Sequence, residues 1–472
     1  MLRTNGSYRA VGALLVLVVA CFGAASAPVS AQSVPPEKPN FVFVMTDDQS
    51  LDTLAYMPNI RALQSSGTTF ENFVMPTATC CPSRATYLRG QYVHNTGMTG
   101  AAGGDGPAFA RRGLDRSTVA TWLDGAGYRT GLFGKYLNGF EQYNYVPPGW
   151  DRWMANANRD VWADCFADNG RKRCYEGHPD TVLANRAEGF ARAGGAAPFF
   201  LFLSFGAPHQ YNDGTPLYPR TDANRFRRAP LPRPPSFNEA DVSDKPSWVR
   251  RKPRLRGPEI RKMTAEHRGR LRSLQTVDRT VGRLQGLLAK TGELDNTYII
   301  FATDNGYHMG QHRLEVGKHM PYKEDHNFPM IVRGPGVPGG VTRDELVSGT
   351  DFGPTLADLA GTETPPFVDG RSAVPLLRGE DPPWRDAVLY ESITHSRVHG
   401  RPAYAGVWTA SGRWYTEHGT GARELYDLGT DPYQLRNVAG DPGRAGEVNA
   451  LSARLRTLKT CSADSCRAAE GP

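Results

Sequence analysis

The sequence predicts an α/β fold: a large, mixed but mostly parallel sheet sandwiched by helices, followed by a smaller C-terminal α+β part that contains an antiparallel sheet. Two patterns carry this prediction. Near-continuous apolar runs alternate with helical segments along most of the chain, as in sheets that are covered on both faces. From about Trp384 onward, short strands follow one another without long helices between them.

Each predicted element is an apolar or amphipathic run bounded by turn residues. The predicted strands are Asn40–Thr46, Thr68–Val74, Tyr128–Phe133, Pro198–Ser204, Thr297–Thr303, Phe328–Val332, Ala387–Ser392, Tyr404–Thr409 and Arg413–Glu417. The predicted helices are Met57–Ser66, a helix that begins at Cys80 and ends by Gly90, Ser117–Gly125 with Ser117 as its cap, Asp180–Ala193, Thr264–Thr291 and Arg444–Thr460.

The first 31 residues are predicted to be an export signal. Arg3 and Arg9 precede the apolar run Val11–Phe22, and small residues before Gln32 fit a signal-peptidase site. The alternative is a lipoprotein signal that leaves Cys21 lipidated, and only then do we expect membrane attachment. In either case the mature chain is expected outside the cytoplasm, secreted or in the cell envelope.

We expect a catalytic α/β domain at residues 38–383, an α+β subdomain at 384–460 and a disulfide-closed tail at 461–472. Export permits disulfide bonds. Two couples of cysteines each flank a short loop, polar in the first couple, and local pairing is the simplest assignment. The predicted bonds are Cys165–Cys174 and Cys461–Cys466.

The net charge of +7 favours acidic partners. No zinc-finger spacing or RNA-binding signature accompanies it, so nucleic acid is not an expected partner. Sulfated or phosphorylated substrates, or an anionic cell surface, would fit this charge equally well. The arginine-rich stretch Arg225–Arg272 is predicted to be a solvated, partly irregular surface rather than a polyanion groove.

The run Cys80-Cys81-Pro82-Ser83-Arg84 opens one of the predicted helices. Proline suits a first helical turn. A thiol at a helix N-terminus lies where the helix dipole favours negative charge and where anions bind. These residues alone allow two interpretations: a nucleophile beside an anion site, or a buried cysteine pair with Arg84 on the surface.

Polar side chains follow several apolar strands at the point where each strand ends. Because ligands of open α/β sheets bind at the carboxyl ends of the strands, these side chains are expected to share one crevice. The hard oxygen donors among them are typical ligands of Ca²⁺ or Mg²⁺, and cationic residues would hold an anion beside the ion. The oxygen donors are Asp47, Asp48, Asp304 and Asn305, and the cations are Arg84, Lys135, His209 and Lys318.

The cysteine run resembles the type I, formylglycine-dependent sulfatase signature C-x-P-S-R, and Gly131-Leu-Phe-Gly-Lys-Tyr-Leu-Asn-Gly139 resembles the second signature of that family. Most of the mature chain follows the sulfatase order of motifs. The closest resemblance is to N-acetylglucosamine-6-sulfatases and extracellular heparan endosulfatases, which share the double cysteine, Pro147-Pro148-Gly149-Trp150 and Asp304-Asn-Gly-Tyr-His308.

The resemblance implies a fold similar to alkaline phosphatase and the conversion of Cys80 to Cα-formylglycine by a formylglycine-generating enzyme. One hydroxyl of the aldehyde hydrate would attack sulfur and the other would expel sulfate, so the reaction would be hydrolysis of a sulfate ester on a sugar, such as 6-sulfated N-acetylglucosamine, or on an aryl group. The implied ligands of Ca²⁺, with Mg²⁺ as the alternative ion, are Asp47, Asp48, Cys80, Asp304 and Asn305. The implied catalytic residues are Cys80, Arg84, Lys135, His209 and Lys318, of which the last three also bind sulfate.

One position departs from the family pattern. Many sulfatases have histidine two residues after the lysine that corresponds to Lys135, and this chain has Leu137 there. The base for sulfate release is therefore unassigned. His308, His312 and His319 are the candidates nearby in sequence; we rank His308 first and count it among the substrate-binding residues.

Two other functions are compatible with the sequence. A phosphate or phosphonate ester hydrolase of the same superfamily would use the same metal ion and cationic residues. A non-catalytic binder of sulfated polysaccharide would use the arginines between Arg250 and Arg256 instead.

Overall fold

A large sheet forms the centre of the computed structural model, which describes residues 38–100, 105–139, 144–156, 165–195, 197–210, 215–394 and 400–472. The unit runs from Lys38 to Pro472. The predicted export signal, with Cys21, lies outside the described residues. None of the described helices combines the length and the apolar character needed to cross a bilayer.

The strands are numbered in chain order. They are β1 (Asn40–Thr46), β2 (Thr68–Phe70), β3 (Phe73–Val74), β4 (Arg129–Gly134), β5 (Arg152–Asn156), β6 (Cys165–Asp168), β7 (Arg171–Cys174), β8 (Phe199–Ser204), β9 (Thr297–Thr303), β10 (Met330–Arg333), β11 (Val341–Arg343), β12 (Val347–Ser348), β13 (Ala387–Ser392), β14 (Tyr404–Thr409), β15 (Arg413–His418) and β16 (Arg423–Asp427).

The α-helices are numbered in the same way. They are α1 (Pro58–Ser65), α2 (Cys80–Arg89), α3 (Val93–Thr96), α4 (Asp105–Arg111), α5 (Val119–Gly125), α6 (Pro179–Arg192), α7 (Ser247–Arg250), α8 (Gly257–Thr291), α9 (Lys323–His326), α10 (Phe352–Leu359), α11 (Val374–Leu377), α12 (Ala445–Leu458) and α13 (Asp464–Glu470). Single 3₁₀ turns lie at Leu51–Tyr56, Leu114–Arg116, Arg220–Asp222, Leu294–Asn296, Gly349–Asp351 and Pro442–Arg444.

The large sheet has ten strands in the order β11-β2-β10-β9-β1-β8-β4-β5-β6-β7. The five central strands, from β9 to β5, are parallel to one another, and antiparallel strands flank them on both sides. β13 to β16 form a separate antiparallel sheet, and β3 pairs with β12. This arrangement confirms the predicted fold class.

Helices cover both faces of the large sheet, and β1 shows why. Phe41 and Phe43 point into an apolar core that α2, α5 and α10 complete. Val42 and Val44 point to the opposite face, where α1, α6 and α8 complete a second core. A strand that is buried on both faces reads as a continuous apolar run, which is why the sequence predicted β1 with its observed bounds.

Several predicted elements differ from the structure. The predicted strand Thr68–Val74 is divided into β2 and β3, which belong to different sheets. The cap of α5 is Thr118 rather than Ser117. The long helix α8 begins at Gly257 rather than Thr264, because Pro258 starts its first turn and Glu259 accepts a hydrogen bond from the Arg256 N–H.

The two predicted disulfide bonds are confirmed. The segment between Cys165 and Cys174, however, was predicted as a loop and is the β6–β7 hairpin, with the two cysteines directly opposite each other. Its turn lies at Asn169 and Gly170, both of which have positive φ. Alternating polar residues on a short edge strand carry little apolar signal, so the sequence pattern missed this hairpin.

Gly134, at the carboxyl end of β4, allows a close contact beneath the strand-end crevice. Its φ is +116°, and a Cβ atom there would lie 1.8 Å from the carbonyl oxygen of Ser204. That carbonyl accepts the hydrogen bond from the Lys135 N–H at 2.9 Å. Only glycine therefore lets β4 and β8 pair at the point where Lys135 leaves the sheet.

We predict that Gly134→Ala lowers the free energy of unfolding by about 3 kcal/mol or more, because the new methyl group must push β4 and β8 apart. Denaturant titration followed by circular dichroism measures this loss. The matched control is Gly125→Ala in α5, where no atom lies within 4 Å of the new Cβ and the change is expected within about 1 kcal/mol. Equal stability of the two variants would contradict the prediction.

Candidate active site

The predicted strand-end side chains come from four strands that are neighbours in the sheet, in the order β9, β1, β8 and β4. These strands are parallel, so their carboxyl ends lie at one edge. At this edge are Asp47 and Asp48 after β1, Lys135 after β4, His209 after β8, and Asp304 and Asn305 after β9. The start of α2 brings Cys80 to the same edge, and the loop between β9 and α9 brings Lys318.

The Arg84 side chain lies buried beneath this edge and joins all four strands. Its Nε donates to Asp304 Oδ2 at 2.9 Å, and its Nη2 donates to Asp47 Oδ2 at 3.3 Å. Its Nη1 donates to Ser204 Oγ at 2.6 Å and to the carbonyl oxygen of Lys135 at 2.7 Å. Arg84 is only 2% exposed, so the interpretation that placed it on the surface is wrong.

Three buried carboxylates face one another at the strand ends. One oxygen from each of Asp47, Asp48 and Asp304 lies within 4.8 Å of the others. Burial alone would raise the pKa of Asp47, but Lys135, His209 and the other cations outweigh it and hold that pKa well below its usual range. Burial and the neighbouring Asp47 raise the pKa of Asp304. The cluster is therefore a concentration of negative charge that needs cations.

Two lysines supply positive charge, whereas burial lowers the pKa of the neighbouring His209 despite the carboxylates of Asp48 and Asp47. Lys135 Nζ is hydrogen-bonded to Asp47, and Lys318 Nζ contacts both Asp48 and the sulfur of Cys80. His209 Nε2 lies 3.5 Å from Asp48 Oδ2. Although burial alone would lower the pKa of Lys318, the carboxylate of Asp48 raises it well above its ordinary value.

Cys80 lies at the centre of these charges. Its sulfur is 3.6 Å from Asp47 Oδ1 and 3.9 Å from Asp48 Oδ1, and the residue is 4% exposed. Burial, followed by the negative charge of Asp47, raises the pKa of the Cys80 thiol to about 12. At neutral pH the side chain is thus a thiol and not the nucleophilic thiolate that the helix N-terminus alone would favour.

Asn305 completes the oxygen donors of the site. Its Nδ2 donates to Asp48 Oδ1 at 2.7 Å and to the Gly306 carbonyl at 2.9 Å. Its Oδ1 is buried and has no hydrogen-bond partner among the described residues. An unpaired buried acceptor beside three carboxylates fits the oxygen-rich donor set of a hard divalent cation.

Further residues that the sequence did not single out support the crevice. Ser83 Oγ donates to the carbonyl of Asp304, and Arg270 Nη2 donates to the carbonyl of Asp48. Asp180 accepts from the N–H groups of Gly206 and Ala207, 3.3 and 3.1 Å away, in the loop that ends at His209. Only Ser83, inside the cysteine motif, carried a signal, because the others meet the site from distant helices.

Arg270 also corrects the interpretation of the arginine-rich stretch. It is completely buried, with its guanidinium 3.8 Å from the centre of the Tyr307 ring. Arg250, Arg251, Arg254 and Arg256 are exposed, as predicted. One arginine of the stretch therefore faces the site from α8, whereas these four, which precede α8, face water.

The three candidate histidines differ in their surroundings. His308 Nδ1 lies 2.8 Å from Asp325 Oδ1, and its Nε2 is buried without a partner among the described residues. His312 Nδ1 lies 2.6 Å from Glu239, and its Nε2 is likewise buried without a hydrogen-bond partner among the described residues. His319 Nδ1 lies 2.9 Å from Thr79 Oγ1. Leu137 is 4% exposed and packs into an apolar core.

The small antiparallel sheet braces the loop that carries Lys318. Trp414 Nε1 donates to the carbonyl of Pro321 at 2.8 Å, and the Tyr322 hydroxyl donates to Glu424 at 3.1 Å. His326, just beyond, has Nδ1 2.8 Å from the Met75 carbonyl and Nε2 2.7 Å from the Tyr404 hydroxyl. The C-terminal sheet therefore helps to position one cation of the site.

Comparison with known families agrees with this geometry. The family model described as "Sulfatase" matches residues 39–362, and the model described as "N-sulphoglucosamine sulphohydrolase, C-terminal" matches residues 310–461. The chain belongs to the sulfatase family. The resemblance noted in the cysteine motif is thus confirmed.

Individual sulfatase relatives cover the chain to different extents. Human N-acetylglucosamine-6-sulfatase is 31% identical over 96% of this chain and 90% of its own length. The extracellular sulfatase SULF-1 homolog of Drosophila melanogaster is 35% identical over 77% of this chain. The chain spans only 34% of that fly protein and 52% of the putative extracellular sulfatase of Caenorhabditis elegans.

Solved structures share the fold. The structure of BT4656 in complex with its substrate D-glucosamine-2-N,6-O-disulfate superimposes with a TM-score of 0.78, at 23% identity, over 89% of this chain and 98% of that chain. A phosphonate monoester hydrolase from Silicibacter pomeroyi superimposes with a TM-score of 0.70, at 22% identity, over 89% and 95%. At these identities the likeness concerns the fold of the sulfatase chain.

The bracing of the Lys318 loop gives a pH-dependent prediction. Burial lowers the pKa of His326 from 6.5 to about 4. Between these values the unfolded chain binds more protons than the native protein, so the stability that neutral His326 provides is lost as pH falls. We expect this loss to reach about 1.4 kcal/mol per pH unit at most.

The measurement compares wild type with His326→Gln, whose amide can still reach both neighbours, by denaturant unfolding at several pH values. The stability advantage of the wild type should shrink as the solution is acidified through this window. An advantage that stays constant or grows would show that His326 does not carry the effect.

Proposed function

We propose that this protein is a sulfatase that hydrolyses a sulfate ester with a formylglycine made from Cys80 and a bound divalent cation, Ca²⁺ in preference to Mg²⁺. The observation that carries the proposal is the position of the Cys80 sulfur, which touches Lys318 and lies within 4 Å of the two carboxylates that follow β1. Because the folded protein buries this thiol, its conversion would take place during export, before the chain folds.

The maturation step oxidises Cβ of Cys80 by two electrons, replaces its sulfur with a carbonyl oxygen and releases hydrogen sulfide. The formylglycine-generating enzyme would supply the oxidant. Once formed, the hydrated aldehyde supplies one hydroxyl that attacks sulfur and a second that allows sulfate to leave. The protein's own residues then have to bind the sulfate, orient it and move protons.

The metal ion would be held by the carboxylates of Asp47, Asp48 and Asp304 together with the unpaired amide oxygen of Asn305, and by the modified Cys80. Hard oxygen donors of this kind suit Ca²⁺ or Mg²⁺. A cation there would neutralise the buried carboxylates and polarise a sulfate oxygen. The proximity of the donor atoms and the unpaired Asn305 oxygen support this assignment.

The cationic side chains have separate roles in the proposal. Lys135 and His209 bind the sulfate group, and Arg84 fixes the carboxylates and the start of α2. We assign Lys318 as the proton donor to the leaving oxygen, because its ammonium group lies at the reaction centre beside Cys80. His209 is the alternative donor.

Sulfate release needs a base where Leu137 offers none. We assign this role to His308 and count it among the residues that would bind the sulfate group. Asp325 fixes the Nδ1 side of its ring, so the unpaired Nε2 is available as the acceptor. A carboxylate–imidazole pair of this form is a common general base.

The substrate class follows from the relatives rather than from the crevice. Human N-acetylglucosamine-6-sulfatase and the disulfated glucosamine complex of BT4656 favour a sulfate ester on a sugar, such as 6-sulfated N-acetylglucosamine. The extracellular relatives and the predicted signal favour action outside the cytoplasm. Domain limits at residues 38–383, 384–460 and 461–472 complete the proposal.

The first test is mass spectrometry of the peptide that contains Cys80, prepared from exported protein. We expect the mass of an aldehyde in place of the thiol and, for Cys80→Ala, a loss of aryl sulfate turnover of about a thousandfold or more. Cys81→Ala is the control. Because Cys81 is fully buried in the core, this variant should lose stability but keep the aldehyde and the turnover.

The same experiment separates the rival functions. An unmodified thiol in all exported protein would refute the mechanism. Faster turnover of aryl phosphate or of a phosphonate monoester than of aryl sulfate would favour a phosphate or phosphonate ester hydrolase. The phosphonate monoester hydrolase with the same fold makes this comparison necessary. If Cys80→Ala leaves ligand binding and every measurable function unchanged, only the role of a non-catalytic binder of sulfated polysaccharide remains.

Metal binding gives a test that does not depend on turnover. Removing divalent cations with a chelator should lower the midpoint of thermal unfolding, and adding Ca²⁺ at a hundred times its dissociation constant should restore about 2.7 kcal/mol. Asn305→Ala, which removes the unpaired oxygen, should weaken the calcium-dependent shift. If neither the chelator nor added Ca²⁺ changes the midpoint of thermal unfolding, no ion binds at this site.

A further inference from the structure

A second charged cavity lies at the far side of the large sheet. It has a volume of about 450 Å³ and lies where β5, β6 and β7 meet α6. We call it the arginine pocket and define it by its lining residues: Arg152, Asp168, Asn169, Arg171, Arg173, Tyr175 and Arg186. Nothing in the proposed catalytic mechanism uses any of these residues.

The charge of the pocket is strongly unbalanced. Four of the seven lining residues are arginines, and Asp168 is the single acidic one. The Asp168 carboxylate is occupied by Arg152, with Arg173 3.8 Å away. Arg171 and Arg186 form no ion pair with any described residue. The guanidinium groups of Arg171 and Arg186 are therefore available to bind an external anion.

The walls of the pocket are held in place. Arg152 Nη1 donates to Asn169 Oδ1 at 2.7 Å and to the Trp153 carbonyl at 3.1 Å. The Tyr175 hydroxyl donates to Asp168, and the guanidinium of Arg186 lies 4.7 Å from the centre of the Tyr175 ring. The disulfide bond closes the hairpin beside them. Arg152 and Tyr175 therefore form a fixed wall beside the exposed Arg171 and Arg186, and a wall that is ordered in advance costs little entropy on binding.

An ordinary explanation exists for part of this charge. β7 is the last strand of the sheet, and charged residues on an edge strand prevent pairing with another molecule. This explains Arg171 and Arg173. It does not explain Arg152 on β5 or Arg186 on α6, which point to the same cavity from other elements.

The pocket is also at a useful distance from the crevice. β4, which positions Lys135, and β7 are separated across the sheet by three strand spacings, or about 14 Å, and Arg152 pairs with Gly131, about 10 Å along β4 from Gly134. The β6–β7 hairpin runs from the pocket toward the edge that carries Cys80, because Cys165 and Cys174 pair at that end. A chain of several sugars is long enough to span this separation, whereas a monosaccharide is not.

We propose that the arginine pocket is a binding site for sulfate groups of an anionic polysaccharide, which holds one part of the chain while another part reaches Cys80. The proposal rests on the proposed function for the nature of the substrate. Binding at the pocket, however, can be measured whether or not the sulfate ester is hydrolysed.

The test uses full-length exported protein and a size-defined heparin oligosaccharide as the probe. Arg171→Ser/Arg186→Ser removes the two arginines that lack ion pairs. Arg61→Ser/Arg436→Ser removes the same charge from two exposed positions outside the pocket. We expect the first variant to weaken oligosaccharide binding about tenfold or more, with the second changing it about twofold or less.

Turnover supplies an independent readout. For the pocket variant, the ratio of kcat/KM on a sulfated oligosaccharide to kcat/KM on an aryl sulfate should fall about tenfold, through KM. If the wild type hydrolyses no sulfate ester, the proposed function is wrong. The binding measurement would still show whether the arginine pocket binds the oligosaccharide.

Three outcomes would overturn the proposal. Equal weakening in both double variants would show attraction by net charge alone. Unchanged binding in the pocket variant, with self-association of the protein, would show that the arginines only protect the sheet edge. Equal affinity for a DNA oligonucleotide of the same charge, lost in the same variant, would show a general polyanion site.

Discussion

The guanidinium group of Arg84 is the interaction on which the site depends. It is buried and contacts the ends of β9, β1, β8 and β4 at once, through two carboxylates, one hydroxyl and one carbonyl. Burying a charge is unfavourable unless it is paired and hydrogen-bonded, and each partner of Arg84 is supplied by a different strand. Arg84 is fully paired only when the four strands are in their observed register. The register of the central sheet and the charge balance of the site therefore depend on each other.

The same constraint decides the chemistry of Cys80. A helix N-terminus stabilises negative charge by about 0.3–1 kcal/mol at an exposed site. Against this, burial and the facing carboxylate of Asp47 raise the pKa of the thiol to about 12, and each pKa unit corresponds to about 1.4 kcal/mol. The effect of burial is therefore larger than that of the helix N-terminus, and Cys80 is a neutral thiol even though cations surround it. The position favours a neutral group that is activated only after modification.

The sequence was informative where a single strand or motif contained the whole signal. β1, β9, β13 and β14 have the predicted bounds, because their side chains are buried in continuous runs. The strand-end rule grouped Asp47, Asp304 and Lys135 correctly, since parallel strands must end at one edge. Metal ligation and the catalytic roles of these residues are still predictions.

What the sequence could not give depends on contacts between distant segments. Arg270 looked like one arginine among many, and only the direction of α8 turns it toward the carbonyl of Asp48. Asp180 looked like a helix start, although its carboxylate accepts from the loop that carries His209. The β6–β7 hairpin had no apolar periodicity at all. In each case the deciding quantity is the relative placement of two elements, which no local pattern contains.

The C-terminal sheet shows how far this placement extends. Lys318 lies in a loop whose next residues, Pro321 and Tyr322, are held by Trp414 and Glu424 of the small sheet. The amide of Met320 in the same loop donates to Asp325 at 2.7 Å, and Asp325 also fixes His308. The backbone N–H of Met320, two residues after Lys318, and the imidazole of His308 thus share the Asp325 carboxylate. Fixing the loop that carries Lys318 costs conformational entropy. The contacts from the small sheet offset this cost, so the sheet supports the site.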